Sequence, residues 1–351
     1  MSAFLSISLS AIIANWQLLQ ARHKKNHSAA VVKADAYGLG MLPVAQALYE
    51  AGCKTFFVAT LEEGMELRKK LPNVPIYIFH GVGRNEEKEF LSHHLRPVLN
   101  SPEQIARWQG KDMPAALHID TGMNRLGLSE TELNAIDVPA VIRDCRIELV
   151  MSHLVSASEP DNPLNKEQRR RFDAAIARFP NIPASLANSS GHFLSEDFHY
   201  DLGRPGCSLY GITPNSSLPN PMMQVATLSA PIIQIRHIDK DGTIGYSATA
   251  PVKKGMRTIT VAMGYADGIQ RLASNKLSAW LGDYECRMLG RVSMDMTCYD
   301  VSHIPPADLE KAESVTLIDA HQTVDDVAKI CDTIGYEIFT RMGNRVRRLY
   351  S

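Results

Sequence analysis

Lys33 directly follows the apolar run AAVV and opens the turn KADAYGLG, which contains Asp35, Gly38 and Gly40. An amine held there can be partly desolvated, which favours its neutral form and makes it a nucleophile toward an aldehyde. Other apolar runs are followed by polar groups of matching use. His118 and Asp120 come after AAL with Arg125 close behind, His153 follows ELVMS, Asn188 and Ser189 follow ASLA, and Arg204 precedes CSLYG. Singly, each has a plainer reading. A lysine at a strand end is commonly exposed, His153 fits a core, Asn188 to Ser190 fit a helix cap, and Arg204 fits a surface ion pair. Recurrence behind successive runs is what argues for one shared site.

Positioning those residues requires a repeated element. Between residues 29 and 211 the runs AAVV, FFVA, IYIF, PVL, AALHI, ELVM, PASLA and CSLYG alternate with helix-like segments. Strand then helix, repeated, implies parallel pairing, and eight strands predict a closed (β/α)8 barrel with its chemistry at the C-terminal strand ends. Thr60 to Glu63, Ser101 to Gln104 and Ser129 to Glu132 are spaced as capping boxes, and Pro43 and Pro102 fall near first helical turns. The Pro-, Asn- and Ser-rich stretch TPNSSLPNP, 213–221, reads as a domain boundary. Beyond it APIIQIRHI, TITVAMGYA and ECRMLGRV read as strands, Asp241-Gly242 as a hairpin turn and TVDDVAKICDTIG as a helix. The opening residues alternate like a strand, with Ser10 as cap of the next helix. The expected organisation is α/β: a (β/α)8 TIM-type barrel over 10–215, then a mainly β domain over 216–351 joined by an N-terminal strand, 1–9.

Composition excludes several classes. The 351 residues are 45% apolar and 21% charged, and 37 basic side chains nearly cancel 38 acidic ones, so no overall field draws nucleic acid or an anionic membrane. No stretch approaches the roughly 20 apolar residues of a membrane span. The opening MSAFLSISLSAIIANW lacks an early Lys or Arg and a cleavage site, so mature structure is expected there. Six scattered cysteines with no CxxC pair suggest neither zinc nor a disulfide framework. A small-molecule enzyme of the cytoplasm is the expectation, with no metal, nucleic acid or membrane.

AVVKADAYGLG resembles the cofactor-lysine signature of alanine racemases. LHIDTGMNRLG, SHLVSASEP, LANSSG, RPGCSLYG, GYSAT, GYADGIQR and GRVSMDM are similar to further family segments, in the family's order and over nearly the whole chain. The resemblance implies a racemase interconverting L- and D-alanine on pyridoxal 5'-phosphate, supplying D-alanine for peptidoglycan from a homodimer with shared active sites. It makes Lys33 the Schiff-base lysine and the base for the D-enantiomer. Tyr246 becomes the base for the L-enantiomer, contributed by the other subunit. Two bases meet a chemical requirement, because inverting a stereocentre by deprotonation needs one group to remove the proton and another, opposite, to return it. By the same resemblance Tyr37, Asn188, Ser189, Gly206 and Cys207 hold the cofactor and its phosphate, and His153 orients the network behind Arg204 and Tyr246. Arg204 faces the pyridine nitrogen, where a guanidinium that does not release its proton keeps the ring neutral. Arg125 and the backbone N–H of Met294 bind the substrate carboxylate, and Asp295 lies at the entrance.

Two positions depart from the family pattern. His118 stands where many relatives carry a carbamylated lysine that pairs with the arginine corresponding to Arg125, so another group must orient that arginine. Asn344 stands where many place a gate tyrosine. Alternatives left open are a serine, lysine or broad-specificity racemase, a barrel-type decarboxylase, and a non-catalytic pyridoxal-phosphate-binding protein.

Overall fold

The computed structural model describes residues 2–23, 27–215 and 217–351, so Ser216 of the expected boundary lies outside the described residues. The chain forms two compact units, Ile12–Met223 and Met1–Ala11 with Gln224–Ser351.

In the first unit, strands Ala30–Val31, Phe56–Val58, Ile76–Ile78, Arg96–Leu99, Ala115–His118, Ile147–Met151 and Ala184–Ser185 pair in sequence order, all parallel. They read as unbroken apolar runs because both faces are covered, by barrel interior and by helices. Seven of the eight expected strands are thus present. The eighth is not CSLYG. Leu202–Gly203 pairs in parallel with His27–Ser28, and Ala29 and Val31 donate to Gly203 and Pro205 O (2.9 and 3.0 Å). On its other side Asp201 and Arg204 donate to Ala184 and Ala187 O (both 2.9 Å). Segment 201–205 therefore closes the barrel, while Cys207–Tyr210 is a buried 3-10 turn ended by Gly211 at φ 78°. A short apolar run that is buried all round has no periodicity to separate strand from helix, and the true strand, DLGRP, is hidden by its charges, Gly and Pro. Arg204 consequently follows the last strand instead of preceding it.

Helix starts follow local chemistry. Thr60 with Glu63 and Ser129 with Glu132 form complete capping boxes. Ser101 accepts the Gln104 N–H, but the Gln104 side chain binds Asn100 N and His80 O, so that box is half made.

The second unit is an antiparallel sheet in which Arg257–Val261, Thr297–Asp300, Tyr284–Met288, Ser278–Leu281, Ser314–Ile318 and Ala226–His237 close on themselves. Phe4–Ile7 joins Ala226–His237, and Arg347–Tyr350 adds in parallel beyond it. The helix after Phe4–Ile7 begins at Leu9 and is capped by Ser8 Oγ, which accepts from Ala11 N, so the expected cap at Ser10 moves by two residues. Asp241-Gly242 makes no hairpin either. The Asp241 carboxylate is taken by Lys253 Nζ and Lys254 N (both 2.9 Å), and Gly242–Ile244 pairs with Ala250–Val252. The expected late helix is present as Val324–Ile330, and Thr323 caps it. No described helix is long and apolar enough to cross a membrane.

Candidate active site

Lys33 leaves the first barrel strand into a turn of unusual hand: Ala34, Asp35, Ala36 and Tyr37 all have φ between 52° and 57°. A left-handed turn costs non-glycine residues roughly 1–2 kcal/mol each, so surrounding bonds must over-determine it. Glu63 does so from the helix Leu61–Lys70 that follows the second barrel strand, its two oxygens accepting Ala34 N (2.6 Å) and Ala59 N (2.8 Å), and Asp35 Oδ1 accepts Met41 N (2.6 Å). Tyr210 packs its ring 4.8 Å from Tyr37 and donates to Val31 O. The Lys33 ammonium lies 5.6 Å from the centre of the Phe79 ring. Burial, then the Arg125 charge, lowers its pKa against the pull of Glu63, the direction a nucleophilic amine requires.

Arg204 is 3% exposed. It donates to Ser185 Oγ and to Ser152 O, and among the described residues no carboxylate pairs with it, which removes the surface ion-pair reading. Burial lowers its pKa to about 9, so it stays charged at neutral pH. His153 is half-buried, with its loop fixed by Gln168, which donates to His153 O (2.9 Å) and accepts Val155 N (2.8 Å). Desolvation, reinforced chiefly by the Arg204 charge, drops its pKa to about 3, and the same two causes drop His118 to about 4. The barrel mouth therefore carries three basic groups, Lys33, Arg125 and Arg204, beside two neutral imidazoles.

Ser189 Oγ accepts Gly206 N (2.9 Å) and Ser208 N (3.2 Å), so backbone donors at one turn converge on a single oxygen. A Cβ on Gly206 would collide with the Tyr37 hydroxyl, so glycine lets that phenol reach the same spot. Asn188 Oδ1 accepts Gly191 N and so also fills its plainer role as a cap. Convergent N–H groups, two hydroxyls and unneutralised positive charge next to a desolvated amine fit the phosphate and aldehyde of pyridoxal phosphate. Ser208, Asn100, Ser152, Ser185 and Glu63 escaped the sequence reading. Asn100, Ser152 and Ser185 each end or follow a barrel strand, so the rule that singled out His118 also reaches them.

Tyr246, Met294 and Asp295 belong to the other unit and gather on adjoining turns. Gly245, at φ 76°, packs Tyr246's turn against Arg291, and Tyr246 is 72% exposed. Ser293 N donates to Met296 O, closing a turn with Met294, 54% exposed, and Asp295 at its tip. Tyr265 N and Ala266 N hold that turn through Ser293 O and Met294 O. Arg345 binds both Asp295 (2.9 Å) and Asp267 (2.8 Å), next to the departing Asn344.

A closed barrel with an amine and an anion cradle at its mouth, followed by a β unit, defines a class, the barrel enzymes that work with pyridoxal phosphate. The particular family follows from comparison. Residues 7–214 match the family model described as alanine racemase, N-terminal domain, and 225–350 that described as alanine racemase, C-terminal domain. The alanine racemase of Rhodospirillum rubrum is 44% identical over 99% of this chain and 96% of its own length, and that of Acidiphilium cryptum 46% over 98% of each. The crystal structure of alanine racemase from Bartonella henselae with covalently bound pyridoxal phosphate superimposes with a TM-score of 0.93 at 35% identity, covering 100% of both chains. The chain belongs to the alanine racemase family, whose members are pyridoxal-phosphate-dependent isomerases acting on alanine.

Proposed function

We propose that this chain racemises alanine by two bases, Lys33 on one face and Tyr246 of a second subunit on the other, with alanine preferred over serine and lysine. The observation that carries the reading is the desolvated Lys33 amine at a barrel mouth whose other charges, Arg125 and Arg204, are unneutralised. Pyridoxal phosphate, when bound, supplies the electron-withdrawing system that acidifies the α-proton of an amino acid. Tyr37, Ser189 and the N–H groups around Gly206 and Cys207 hold its phosphate, with Asn188 bracing the turn. Arg204, which keeps its proton, would face the ring of the bound cofactor and leave it a weaker electron sink than an acid would, which disfavours decarboxylation. His153 lies behind it as a neutral ring. Arg125 and the Met294 N–H bind the substrate carboxylate, while Asp295 borders the entrance.

A homodimer is supported by the exposure of Tyr246, Tyr265, Met294 and Met296 on neighbouring turns of the β unit, large side chains of the kind enriched at protein interfaces. In this reading the barrel, 10–215, holds the cofactor, and the β domain, 216–351 with strand 1–9, lends Tyr246 to its partner. We place the enzyme in the cytoplasm, supplying D-alanine for peptidoglycan. The test is loss of optical rotation with L-alanine, L-serine and L-lysine supplied separately to the holoenzyme. Alanine should turn over fastest, and faster turnover of serine or lysine rejects the preference.

A further inference from the structure

His192 is wholly buried where three segments that lead to the cofactor cradle meet. Its own turn, Ser190–Phe193, follows Asn188 and Ser189 directly. Ser28 lies against the ring with its hydroxyl 3.1 Å from Nε2, and from Ser28 the chain runs on through the strand Ala30–Val31 to Lys33. Gly203, the partner of Ser28 in register, is the residue before Arg204. A Cβ on Gly203 would stand 2.3 Å from His192 Nε2, so glycine is what lets the ring lie against both strands.

These neighbours fix the protonation of the ring. Asn188 O lies 2.7 Å from Nδ1, and a carbonyl can only accept, so Nδ1 carries the proton. Burial, joined by His23, His199 and Arg204, opposes a second proton against the pull of that carbonyl. The two other imidazoles have their centres 5.5 and 6.0 Å from that of His192. Nε2 therefore accepts from the Ser28 hydroxyl. The bond at Nδ1 is the short one at this turn, because His192 N is shared at 3.3 Å between Asn188 O and Ser189 O. Arg22 Nε, donating to His192 O at 3.0 Å, pins the far end of the same residue.

The structure assigns His192 the role of positioning residue for the phosphate cradle. Through Nδ1–H it holds the Asn188 carbonyl, and so the place of Ser189, whose Oγ collects Gly206 N and Ser208 N. Through Nε2 and the ring edge it keeps the strands that lead to Lys33 and to Arg204 in step with that turn. It acts through Asn188 and Ser189, not on the cofactor itself. This inference rests on the reading of the cradle as a pyridoxal phosphate site.

Two variants separate the two bonds, because asparagine places its amide nitrogen near the position of Nδ1 and glutamine places its amide oxygen near that of Nε2. In the full-length chain stripped of cofactor with hydroxylamine, His192→Asn should bind pyridoxal phosphate within about twofold of the parent. His192→Gln should bind it roughly fivefold to thirtyfold more weakly, the cost of leaving a buried carbonyl short of a donor. Pyridoxal, which lacks the phosphate, should bind all three proteins within about twofold. In histidine-labelled holoenzyme, nitrogen-15 spectra should show His192 protonated at Nδ1 and bare at Nε2 from pH 6 to 8. An affinity for pyridoxal phosphate in the Asn variant no better than in the Gln variant, a loss shared by pyridoxal, or a proton on Nε2 overturns the proposal and leaves the cradle standing. A parent that binds pyridoxal as tightly as pyridoxal phosphate rejects the cradle, and this role with it.

Discussion

The barrel mouth and the turns around Tyr246 and Met294 hold their candidate functional residues under opposite conditions. At the mouth, Arg204 is withdrawn from water and His118 and His153 are half-buried, the hydrogen bonds of Arg204 and His118 run to backbone and neutral partners, and the protonation of all three is set by burial and by neighbouring charges. On the β unit, Tyr246, Met294 and Asp295 ride exposed turn tips, and Asp295 is held by an arginine that is itself half in solvent. One region is already chemically specialised within a single chain. The other is a rigid display of groups whose environment must come from elsewhere. A function divided in this way should respond to substitution very differently on its two sides.

The largest separation is expected from Lys33→Ala, which removes a nucleophile and a base together. Racemisation should fall by about 10³-fold or more, yet the cradle of Tyr37, Ser189 and Gly206 should still retain pyridoxal phosphate, as absorbance after gel filtration will report. Loss of cofactor together with activity would mean that the cradle is not a binding site. Tyr246→Phe should cost about 10²–10⁴-fold in racemisation and leave cofactor content untouched. In deuterium oxide this variant should still exchange the α-proton of D-alanine through Lys33, but not that of L-alanine. Exchange of both enantiomers at parental rates removes Tyr246 from the mechanism.

Gly206→Ala drives a methyl into the Tyr37 hydroxyl, an overpacking worth about 1–3 kcal/mol, and should weaken pyridoxal phosphate roughly tenfold in a titration. An equivalent change at Gly242, where a Cβ meets nothing within 4 Å, should alter neither affinity nor melting. Acid should also separate the regions. His192 is fully buried in the barrel unit beside His23, with its pKa dropped from 6.5 to about 3, chiefly by desolvation. The folded state refuses a proton that the unfolded chain accepts, so this stability is complete above about pH 6.5. It then erodes as pH falls, by about 1.4 kcal/mol per unit for each such histidine. His237 and His303 of the β unit are exposed. Hydrogen exchange between pH 7.5 and 5 should therefore show barrel amides losing protection before those of the β sheet, and parallel loss in both contradicts the assignment.

Much of this was legible in the chain itself. Apolar runs of three to five residues separated by capped helices are local signals, so the barrel and seven of its strands followed from them. The rule that chemistry follows strand ends then picked out Lys33, His118, His153 and Ser189, and the spacing of the family-like segments carried the rest. The eighth strand was missed because DLGRP has no local signature. It is a strand only because Ala29, Val31, Ala184 and Ala187 offer partners on either side. Tertiary structure alone also decided the states of the groups. Asn100 binds His118 Nδ1 across 18 residues, Ser152 O holds Arg204 across 52, and Glu63 props the left-handed turn behind Lys33 across 29. Residue type is written in the sequence, whereas protonation, tautomer and backbone hand depend on desolvation and on partners that only folding brings within 3 Å.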